Sequence, residues 1–420
     1  MPTEVSGSKQ AGGLWRWLNA RFPIESTVKQ HLTGYYVPKN INGWYVLGSL
    51  SLIVLVIEIA TGVFLAMDYK PSEAGAFASV EYIMREVKWG WLIRYLHSTG
   101  ASAMFILVYL HMFRMLMYGS YRAPRELIWI SGVLIYLCMM TESFFGYLLP
   151  WGNLSYWGAQ VIVSLFGTIP LVGDSLTDWI RGDFYVSDIT LTRFYALHAF
   201  AVPLLLLVLV VGHMVALHTV GSSSPDGVEV KNHADENGPP PDGVAFHPYC
   251  TVDDLFALGV FLLVFCAVVF FAPTLGGLFL EAQNFEIANP MQTPPHIAPV
   301  WYLTPFYAIL RAVPSFFDTP VWGVIAMFGA VLVLFLMPWL DRSPVKSIRY
   351  KGPISKIALA LFAASFCVLA YCGMKPPGGI YSVLARIFTA VYFAYFLLMP
   401  WWSRIDRVKP VPTKVTYHAH

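Results

Sequence analysis

Two apolar segments of the chain each carry a pair of histidines about one helix-length apart. His97 and His111 are separated by 14 residues, and His198 and His213 by 15. In an α-helix these spacings give a rise of about 21 to 22 Å and return both side chains of a pair to nearly the same face. Two such helices side by side would stack two histidine couples across an apolar layer of about 30 Å. Because imidazole is a good axial ligand of haem iron, the pattern predicts a housing for two haems.

Glycines at matching positions favour the same interpretation. Gly48 and Gly62 are 14 residues apart, as are Gly132 and Gly146. A flat macrocycle beside a helix needs a missing side chain, and two stacked macrocycles need two such gaps. Three arginines near the histidines are suited to bind haem propionates: Arg94 and Arg193 near one couple, and Arg114 near the other.

Each of these features also has a plainer explanation. A single histidine in an apolar helix is often a hydrogen-bonding group between helices or part of a proton relay. Small residues commonly allow close helix packing, and an arginine at a helix end commonly snorkels towards water. The histidine pairs and the glycine pairs have nearly the same spacing, and this match favours haem binding over these alternatives.

Composition indicates that these residues lie in a membrane. Of the 420 residues, 57% are hydrophobic and only 12% are charged, about half the charged share of a typical soluble protein. The net charge of +2 gives no indication of nucleic-acid binding. The five cysteines form neither a CxxC nor a CxxCH motif, so an iron–sulfur cluster or a covalently attached haem is expected only on partner chains.

The elements that position the histidines are predicted to be membrane-spanning helices. Eight stretches have the apolar length that a crossing helix needs: 44–67, 91–118, 127–149, 194–217, 255–272, 321–340, 357–374 and 380–402. The chain is therefore predicted to be an all-α membrane protein with a dihaem four-helix bundle and surface helices in the outer loops. Lysine and arginine concentrate in one set of loops, so both termini are predicted to be cytoplasmic. His97 and His198 then form the outer couple, and His111 and His213 the inner couple.

The chain divides into five predicted regions. They are an interfacial N-terminal segment (1–42), the dihaem bundle with an outer helical hairpin (43–220, hairpin 153–190), a polar cytoplasmic loop (221–253), a C-terminal four-helix region with a long outer loop (254–402, loop 273–318) and a cytoplasmic tail (403–420). Residues 221–245 of the polar loop are expected to be flexible. Residues 302–311 are expected to form a short surface helix.

Several longer motifs follow one another in a specific order. They are WLIRYLH at 91–97, GYLLPWG at 146–152, SYWGA at 155–159 and FHPY at 246–249, followed by Trp301, Tyr302 and the run 307–311. Over essentially its whole length the chain resembles the cytochrome b family of the bacterial respiratory bc1 complex, a ubiquinol–cytochrome c reductase.

This resemblance implies a cofactor set and a reaction. The cofactors would be two non-covalent, bis-histidine b-type haems, of low potential at the outer couple and high potential at the inner couple. Quinol oxidised at the outer face would send one electron to a Rieske iron–sulfur protein and the other through the haems to a quinone at the cytoplasmic face. The implied partners are the Rieske protein, cytochrome c1, a second copy of the chain in a dimer, ubiquinol and ubiquinone, and the lipid of a bacterial cytoplasmic membrane. The resulting Q cycle would build a proton gradient.

The resemblance also assigns residues to two quinone sites. The outer quinol site is implied at Tyr147, Gly158, Pro299, Trp301, Tyr302 and Tyr307. The inner quinone site is implied at His218, Ser222 and Asp254. A histidine that titrates near neutrality and a carboxylate are suitable partners for a quinone that must gain two protons.

The chain departs from the family pattern in two places. The family tetrapeptide Pro-Glu-Trp-Tyr reads Pro-Val-Trp-Tyr at 299–302, so the carboxylate credited with accepting a quinol proton is replaced by Val300. Glu142, an acid in an apolar run one turn before Gly146, is the predicted replacement. The second departure is the spacing of 15 residues between His198 and His213, which resembles photosynthetic cytochrome b6. A kink near Pro203 is expected to absorb the extra residue.

Two other functions compete with this interpretation. A haem-free transporter could use intramembrane histidines as a proton relay, but it would leave the matched glycines unexplained. A membrane anchor of a dehydrogenase would also hold histidine-ligated haems, but it would need fewer spans and no long outer quinol loop.

Overall fold

The computed structural model of this chain describes residues 13–29, 32, 34–230 and 240–416. Helices form most of this part of the chain. The only sheet in the described ranges pairs β1 (Tyr36–Pro38) with β2 (Gly243–Ala245) in antiparallel orientation. The all-α prediction is confirmed.

Within the described ranges, eight helices are long and apolar enough to cross a membrane, and each coincides with a predicted span. They are α1 (Gly43–Asp68), α2 (Gly90–Tyr118), α3 (Glu126–Leu148), α4 (Asp188–Val220), α5 (Phe246–Phe271), α6 (Val321–Leu340), α7 (Pro353–Gly373) and α8 (Gly379–Leu397). Shorter helices lie at Gly13–Arg21, Ile24–Val28, Ala76–Arg85, Asn153–Phe166, Gly173–Arg181, Thr304–Ala312 and Met399–Ile405. The helices at Asn153–Phe166 and Gly173–Arg181 pack together as the predicted hairpin.

The haem-ligand candidates lie on α2 and α4, and the glycine pairs on their packing partners. Helix α1 packs against α2, and α3 packs against α4. The main core extends from this bundle to α7 and α8. Its buried aromatic residues include Phe105 of α2, Tyr136 of α3, Phe306 of the helix Thr304–Ala312 and Tyr392 of α8. The buried Tyr392 hydroxyl donates a hydrogen bond to the carbonyl of Ala330 over 2.8 Å.

The expectation of a surface helix at 302–311 is only half right. A 3-10 turn at Trp301–Leu303 leads into the helix Thr304–Ala312. However, Phe306 and Ile309 are buried, and the helix packs against α6, α7 and α8. Its apolar side chains recur at helical spacing, which fits a helix with one face in the core.

The first part of the polar loop is packed, contrary to the expectation of flexibility. Asp226 is fully buried. It forms an ion pair with Arg349 at 3.0 Å and accepts hydrogen bonds from Asn40 and Thr416. Burial alone would raise the pKa of this carboxyl, but the bonds from Thr416 and Arg349 bring it below its usual value. Lys231, one of the basic residues on which the predicted orientation rests, lies outside the described residues.

A π-helical turn accommodates the longer histidine spacing of α4. Residues Leu197–Ala201 form i→i+5 hydrogen bonds directly before Pro203. Such a turn holds one more residue than an α-helical turn, and proline has no N–H to continue the α-helical pattern. The extra residue is thus absorbed near Pro203, as expected, by a π-turn.

Candidate functional site

The predicted outer histidine couple comes together between α2 and α4. The imidazole rings of His97 and His198 have centroids 6.1 Å apart and are nearly perpendicular, at 88°. Two metal–imidazole bonds of about 2 Å, with the ring radii behind them, separate two ring centroids by roughly 6 Å. The spacing of this couple therefore suits one metal ion bound between the two rings.

Hydrogen bonds at Nδ1 orient both outer rings. His97 Nδ1 lies 3.0 Å from the Thr61 hydroxyl and 3.3 Å from the Glu58 carboxylate. His198 Nδ1 lies 3.0 Å from the Glu142 carbonyl oxygen and 3.0 Å from the Glu142 carboxylate. Metal-bound histidines usually donate their other ring N–H to such groups. Nε2 is then the nitrogen left for a metal on each ring.

The inner histidines are held differently. His213 Nδ1 lies 2.9 Å from the hydroxyl of Ser131 on α3. His111 Nδ1 is buried and has no hydrogen-bond partner among the described residues. No carboxylate is paired with either inner ring in the described part of the chain, so the outer and inner couples have different electrostatic surroundings.

Each of the four predicted glycines faces one of the four histidines. An added Cβ would lie 3.3 Å from His111 Cε1 at Gly48, 3.3 Å from His97 Cε1 at Gly62 and 3.4 Å from His213 Cε1 at Gly132. At Gly146 it would lie 2.9 Å from His198 Nδ1 and closer still to Cε1. The missing side chains therefore leave room for the ligand rings themselves.

The three predicted arginines lie in three different places: two of them line separate cavities, and the third lies near the inner histidines. Arg94 lines a cavity of about 440 Å³ together with His97 and His198. Arg114 is buried, with its guanidinium 3.6 Å from the ring centroid of Tyr45 and its Nε without a partner among the described residues. Arg193 instead donates to the Trp179 carbonyl and lines a second cavity.

The region around the four histidines suits an apolar cofactor with acidic groups. The 440 Å³ cavity is lined mainly by apolar side chains and contains both outer rings. Four buried polar atoms in this region lack partners among the described residues: Glu58 Oε1, His111 Nδ1, Arg114 Nε and Glu142 Oε2. Buried polar groups are normally satisfied, so these atoms indicate that a further group belongs there, and Arg114 in particular suits a propionate.

The two carboxylates beside the outer couple occupy equivalent places on α1 and α3. Glu58 lies ten residues after Gly48 and four before Gly62, and Glu142 lies ten after Gly132 and four before Gly146. Glu58 was not among the predicted site residues. The sequence contained a signal for Glu58: it is an intramembrane acid, and its spacing from a glycine pair is the same as that of Glu142.

A second, larger cavity matches most of the predicted outer quinol site. It has a volume of about 840 Å³, and Tyr147, Gly158, Pro299 and Tyr307 line it. Tyr147 and Val300 line both this cavity and the one around the outer histidines. They therefore form part of the wall between the two spaces.

Two predicted outer-site residues lie beside this cavity instead of lining it. The Tyr302 ring stacks on Phe105 with centroids 3.9 Å apart, and Tyr302 lines the cavity around the outer histidines. The Trp301 indole donates to the Ser102 hydroxyl over 3.2 Å. Both side chains are thus built into the packing between α2 and the loop.

A hydrogen-bonded group that sequence reasoning missed adjoins Tyr147. The amide of Asn284 donates to the Tyr147 hydroxyl over 2.9 Å and to the Glu281 carboxylate over 3.1 Å. Burial raises the pKa of Glu281 to about 7, and hydrogen bonds from Asn284 and Tyr147 limit the rise. No local sequence signal connects 147 with 281 and 284, because only the fold brings them together.

The predicted inner-site residues lie at the other end of the bundle. The His218 ring is 4.4 Å from the ring of Tyr35, whose hydroxyl is 3.3 Å from the Ser222 hydroxyl. Asp254, on α5, accepts a hydrogen bond from Ser49 over 3.0 Å. Tyr35, which was not predicted, therefore connects two of the three residues.

Comparison with known proteins identifies the family. The family description "Cytochrome b/b6/petB" matches residues 32–221, and "Cytochrome b(C-terminal)/b6/petD" matches residues 287–393. A protein named "Cytochrome b" from Allochromatium vinosum is 60% identical over 404 residues, which cover 95% of this chain and 97% of that protein. The chain belongs to the cytochrome b family. The predicted family is confirmed, and the family implies haem binding.

Two further relatives extend the comparison. A solved structure titled "Hyperthermophilic respiratory Complex III" matches with a TM-score of 0.85 and 38% identity, covering 92% of this chain and 98% of that chain. A Bradyrhizobium diazoefficiens protein named "Cytochrome b/c1" is 43% identical over 402 residues and is covered to 56% of its length by the match. The cytochrome b fold thus extends across nearly the whole chain, as a multi-pass membrane protein.

Proposed function

We propose that this chain is the dihaem cytochrome b subunit of a quinol:cytochrome c oxidoreductase. The observation that carries the proposal is the outer histidine couple, with ring centroids 6.1 Å apart in a cytochrome b fold. The cavity of about 840 Å³ separated from this couple by Tyr147 and Val300 supports a quinol site next to it.

The four histidines would hold two b-type haems, one per couple. His97 and His198 would ligate the outer, low-potential iron through Nε2, and His111 and His213 the inner, high-potential iron. When bound, the two haems supply one-electron transfer across the membrane. Arg94 and Arg114 would neutralise propionates, whereas Arg193, which donates to Trp179, is better placed to face the quinol cavity.

At the outer site, the chain's own residues bind the quinol and restrict water. Gly158 leaves space beside Tyr147, since even an added Cβ would be 3.8 Å from the Tyr147 ring. Pro299 and Tyr307 shape the same cavity, with the Tyr307 hydroxyl donating to the Ile297 carbonyl over 3.1 Å. Tyr302 and Trp301 fix the loop against α2. A Rieske iron–sulfur protein would accept one electron from quinol bound there, and the outer haem held by His97 and His198 would accept the other.

At the inner site, protonatable residues face the cytoplasmic side. A quinone that gains two electrons must also gain two protons, and His218 and Asp254 would provide or relay them. Ser222 and Tyr35 would hold His218 in its orientation. Net transfer of protons from the cytoplasmic side to the outer side would follow.

The partners that we propose for this chain rest on the names of its relatives, and the membrane location rests on the distribution of its basic residues. One relative's printed name joins cytochrome b with c1, and the solved structure's title refers to a respiratory complex. We therefore propose a Rieske protein docking near Tyr307, a cytochrome c1 and a second copy of the chain as partners. The excess of lysine and arginine on one set of loops supports a bacterial cytoplasmic membrane location with both termini in the cytoplasm.

The test is a redox titration of the reduced-minus-oxidised spectrum of the purified complex. We expect two b-type centres per chain of different midpoint potential. His111→Leu is expected to remove the inner centre alone, while His247→Leu, at an exposed histidine outside the couples, leaves both. Fewer than two haems per chain, or an unchanged spectrum in His111→Leu, contradicts the proposal. A transporter would show no b-type band, and a dehydrogenase anchor would show no quinol-dependent cytochrome c reduction.

The role predicted for Glu142 stays a prediction. Its carboxylate lies against His198 and lines the cavity around the outer histidines. Among the described residues that line the quinol cavity, Glu142 is absent. Quinol turnover of Glu142→Gln, measured against pH, tests whether this acid accepts the outer proton.

A further inference from the structure

No acid is found among the described residues that line the quinol cavity. Its described lining contains Tyr147, Tyr307 and Arg193 as titratable groups and no carboxylate. Val300, where the family tetrapeptide has glutamate, is 7% exposed and forms part of the wall towards the outer histidines. A proton from quinol must therefore leave through a side chain in the wall.

Tyr147 is the wall residue that leads to a carboxylate. Its hydroxyl accepts a hydrogen bond from the Asn284 amide over 2.9 Å, and the same amide donates to Glu281 over 3.1 Å. The Tyr147 hydroxyl and the Glu281 carboxylate thus share one hydrogen-bond donor and lie close enough to interact. The Tyr147 hydroxyl can thus accept from a ligand in the cavity and donate to Glu281.

Glu281 is partly exposed and lies in a surface loop, so a proton on its carboxylate can reach water. It precedes the 3-10 turn Ala282–Phe285, in the loop between α5 and α6, and its neighbour Ala282 is exposed. The titratable side chains that act on it from the packed elements are Tyr147 of α3 and Tyr302 of the following turn. In the described part of the chain no lysine or arginine is paired with it.

We propose that Glu281, reached through Tyr147 and positioned by Asn284, is the terminal proton acceptor of the outer quinol site. The proposal rests on the proposed quinol oxidation. In this chain, Glu281 of the loop would thus replace the glutamate that the family tetrapeptide has at the position of Val300.

The proton transfer balances without an additional reactant. A quinol O–H breaks as its proton moves to the Tyr147 oxygen, while the Tyr147 proton moves to a Glu281 carboxylate oxygen. Tyr147 remains a neutral phenol and Glu281 becomes a neutral acid, which then releases the proton to the outer water. A haem held by His97 and His198 would take one of the two electrons, and a Rieske iron–sulfur partner would take the other. That iron–sulfur partner would also accept the second quinol proton, so that both protons and both electrons are accounted for.

The acidity of Glu281 is suited to this role. Burial raises its pKa to about 7, and a proton acceptor works best when its pKa lies near the operating pH. The active form is the carboxylate, so the rate of quinol oxidation should rise with pH through about 7 and level off above it.

The experiment compares variants of the assembled, haem-loaded complex with a short-chain ubiquinol and cytochrome c between about pH 5 and 9. Glu281→Gln is expected to lose the inflection near neutrality and at least tenfold of the rate. Tyr147→Phe should behave in the same way. The control is Glu286→Gln, which changes an exposed acid of the same loop and should keep both rate and inflection.

Two further variants separate proton transfer from a structural role. Glu281→Asp keeps an acid and should retain an inflection. Adding Val300→Glu to Glu281→Gln places a carboxylate in the wall and should restore a pH-dependent rate.

The proposal is overturned if Glu281→Gln, with normal haem absorbance, matches Glu286→Gln in rate and pH profile. It is also overturned if Glu142→Gln, instead of Glu281→Gln, removes the inflection. If the unaltered complex reduces no cytochrome c with quinol although both haems titrate, the proposed function itself fails, which is a different result from an inactive variant in an active complex.

Discussion

The substitution Gly146→Ala should remove the outer haem selectively. An alanine Cβ would lie 2.9 Å from His198 Nδ1, 3.0 Å from Nε2 and closer still to Cε1. The ring cannot move away freely, because its Nδ1 is held by the carbonyl and the carboxylate of Glu142, each at 3.0 Å. The extra methyl group therefore displaces a ligand or breaks its hydrogen bond.

The size of the effect follows from these contacts. Overpacking a tight site costs about 1–3 kcal/mol, and a lost hydrogen bond adds roughly 1 kcal/mol. A total of about 2–4 kcal/mol corresponds to a roughly 30- to 1,000-fold loss of haem affinity. At Gly132 the nearest His213 atom would be 3.4 Å from the new Cβ, an ordinary contact, so Gly132→Ala should be much milder.

The assay combines haem stoichiometry with redox titration of the α-band. Gly146→Ala is expected to retain the high-potential centre and lose or strongly weaken the low-potential one. Gly259→Ala is the control, because an added Cβ at this position of α5 would meet no described atom within 4 Å. Two haems with unaltered midpoint potentials in Gly146→Ala would refute the argument that this glycine makes room for His198.

Four other substitutions test different parts of the structure. Glu58→Gln or Glu142→Gln replaces a carboxylate at an outer ligand's Nδ1, so the outer haem's midpoint potential should rise by about 30–60 mV, roughly three- to tenfold in the redox equilibrium. Lys351→Met leaves the buried Asp341 without its ion pair at 2.6 Å, and thermal unfolding should show a loss of about 3–5 kcal/mol. Asp254→Asn should slow reoxidation of the inner haem by quinone about tenfold, measured as a flash- or mixing-induced transient, with the outer haem's reduction by quinol unchanged.

The Asp341 group also predicts a dependence of stability on pH. Burial alone would raise the pKa of Asp341, but the ion pair with Lys351, the charge of Arg122 and the hydrogen bond from Tyr121 bring it below the usual value. Its contribution to stability is complete above the unfolded carboxyl pKa of about 4 and is lost as the pH falls through the lower folded pKa. In Asp341→Asn, unfolding should therefore lose part of its acid sensitivity.

The spans, the family and the histidine couples were accessible from the sequence. A crossing helix is recognised from local apolar length, and the spacing of residues on one helix determines which of them share a face. For this reason His97 and His111 were correctly placed on one helix, and the four glycines were correctly matched with the histidines. The equivalent place of Glu58 was also present in the sequence and was overlooked.

Contacts between distant segments were decided only by the tertiary structure. The meeting of Tyr147 with Asn284 and Glu281, the burial of Asp226 and the direction of Glu142 towards His198 all depend on how loops and helices pack. Helical periodicity places a residue on a face, but it does not state which neighbour that face meets. Sequence therefore determined which residues could bind haem. The packing of distant segments decided which carboxylate contacts which histidine and brought Asn284 and Glu281 next to Tyr147.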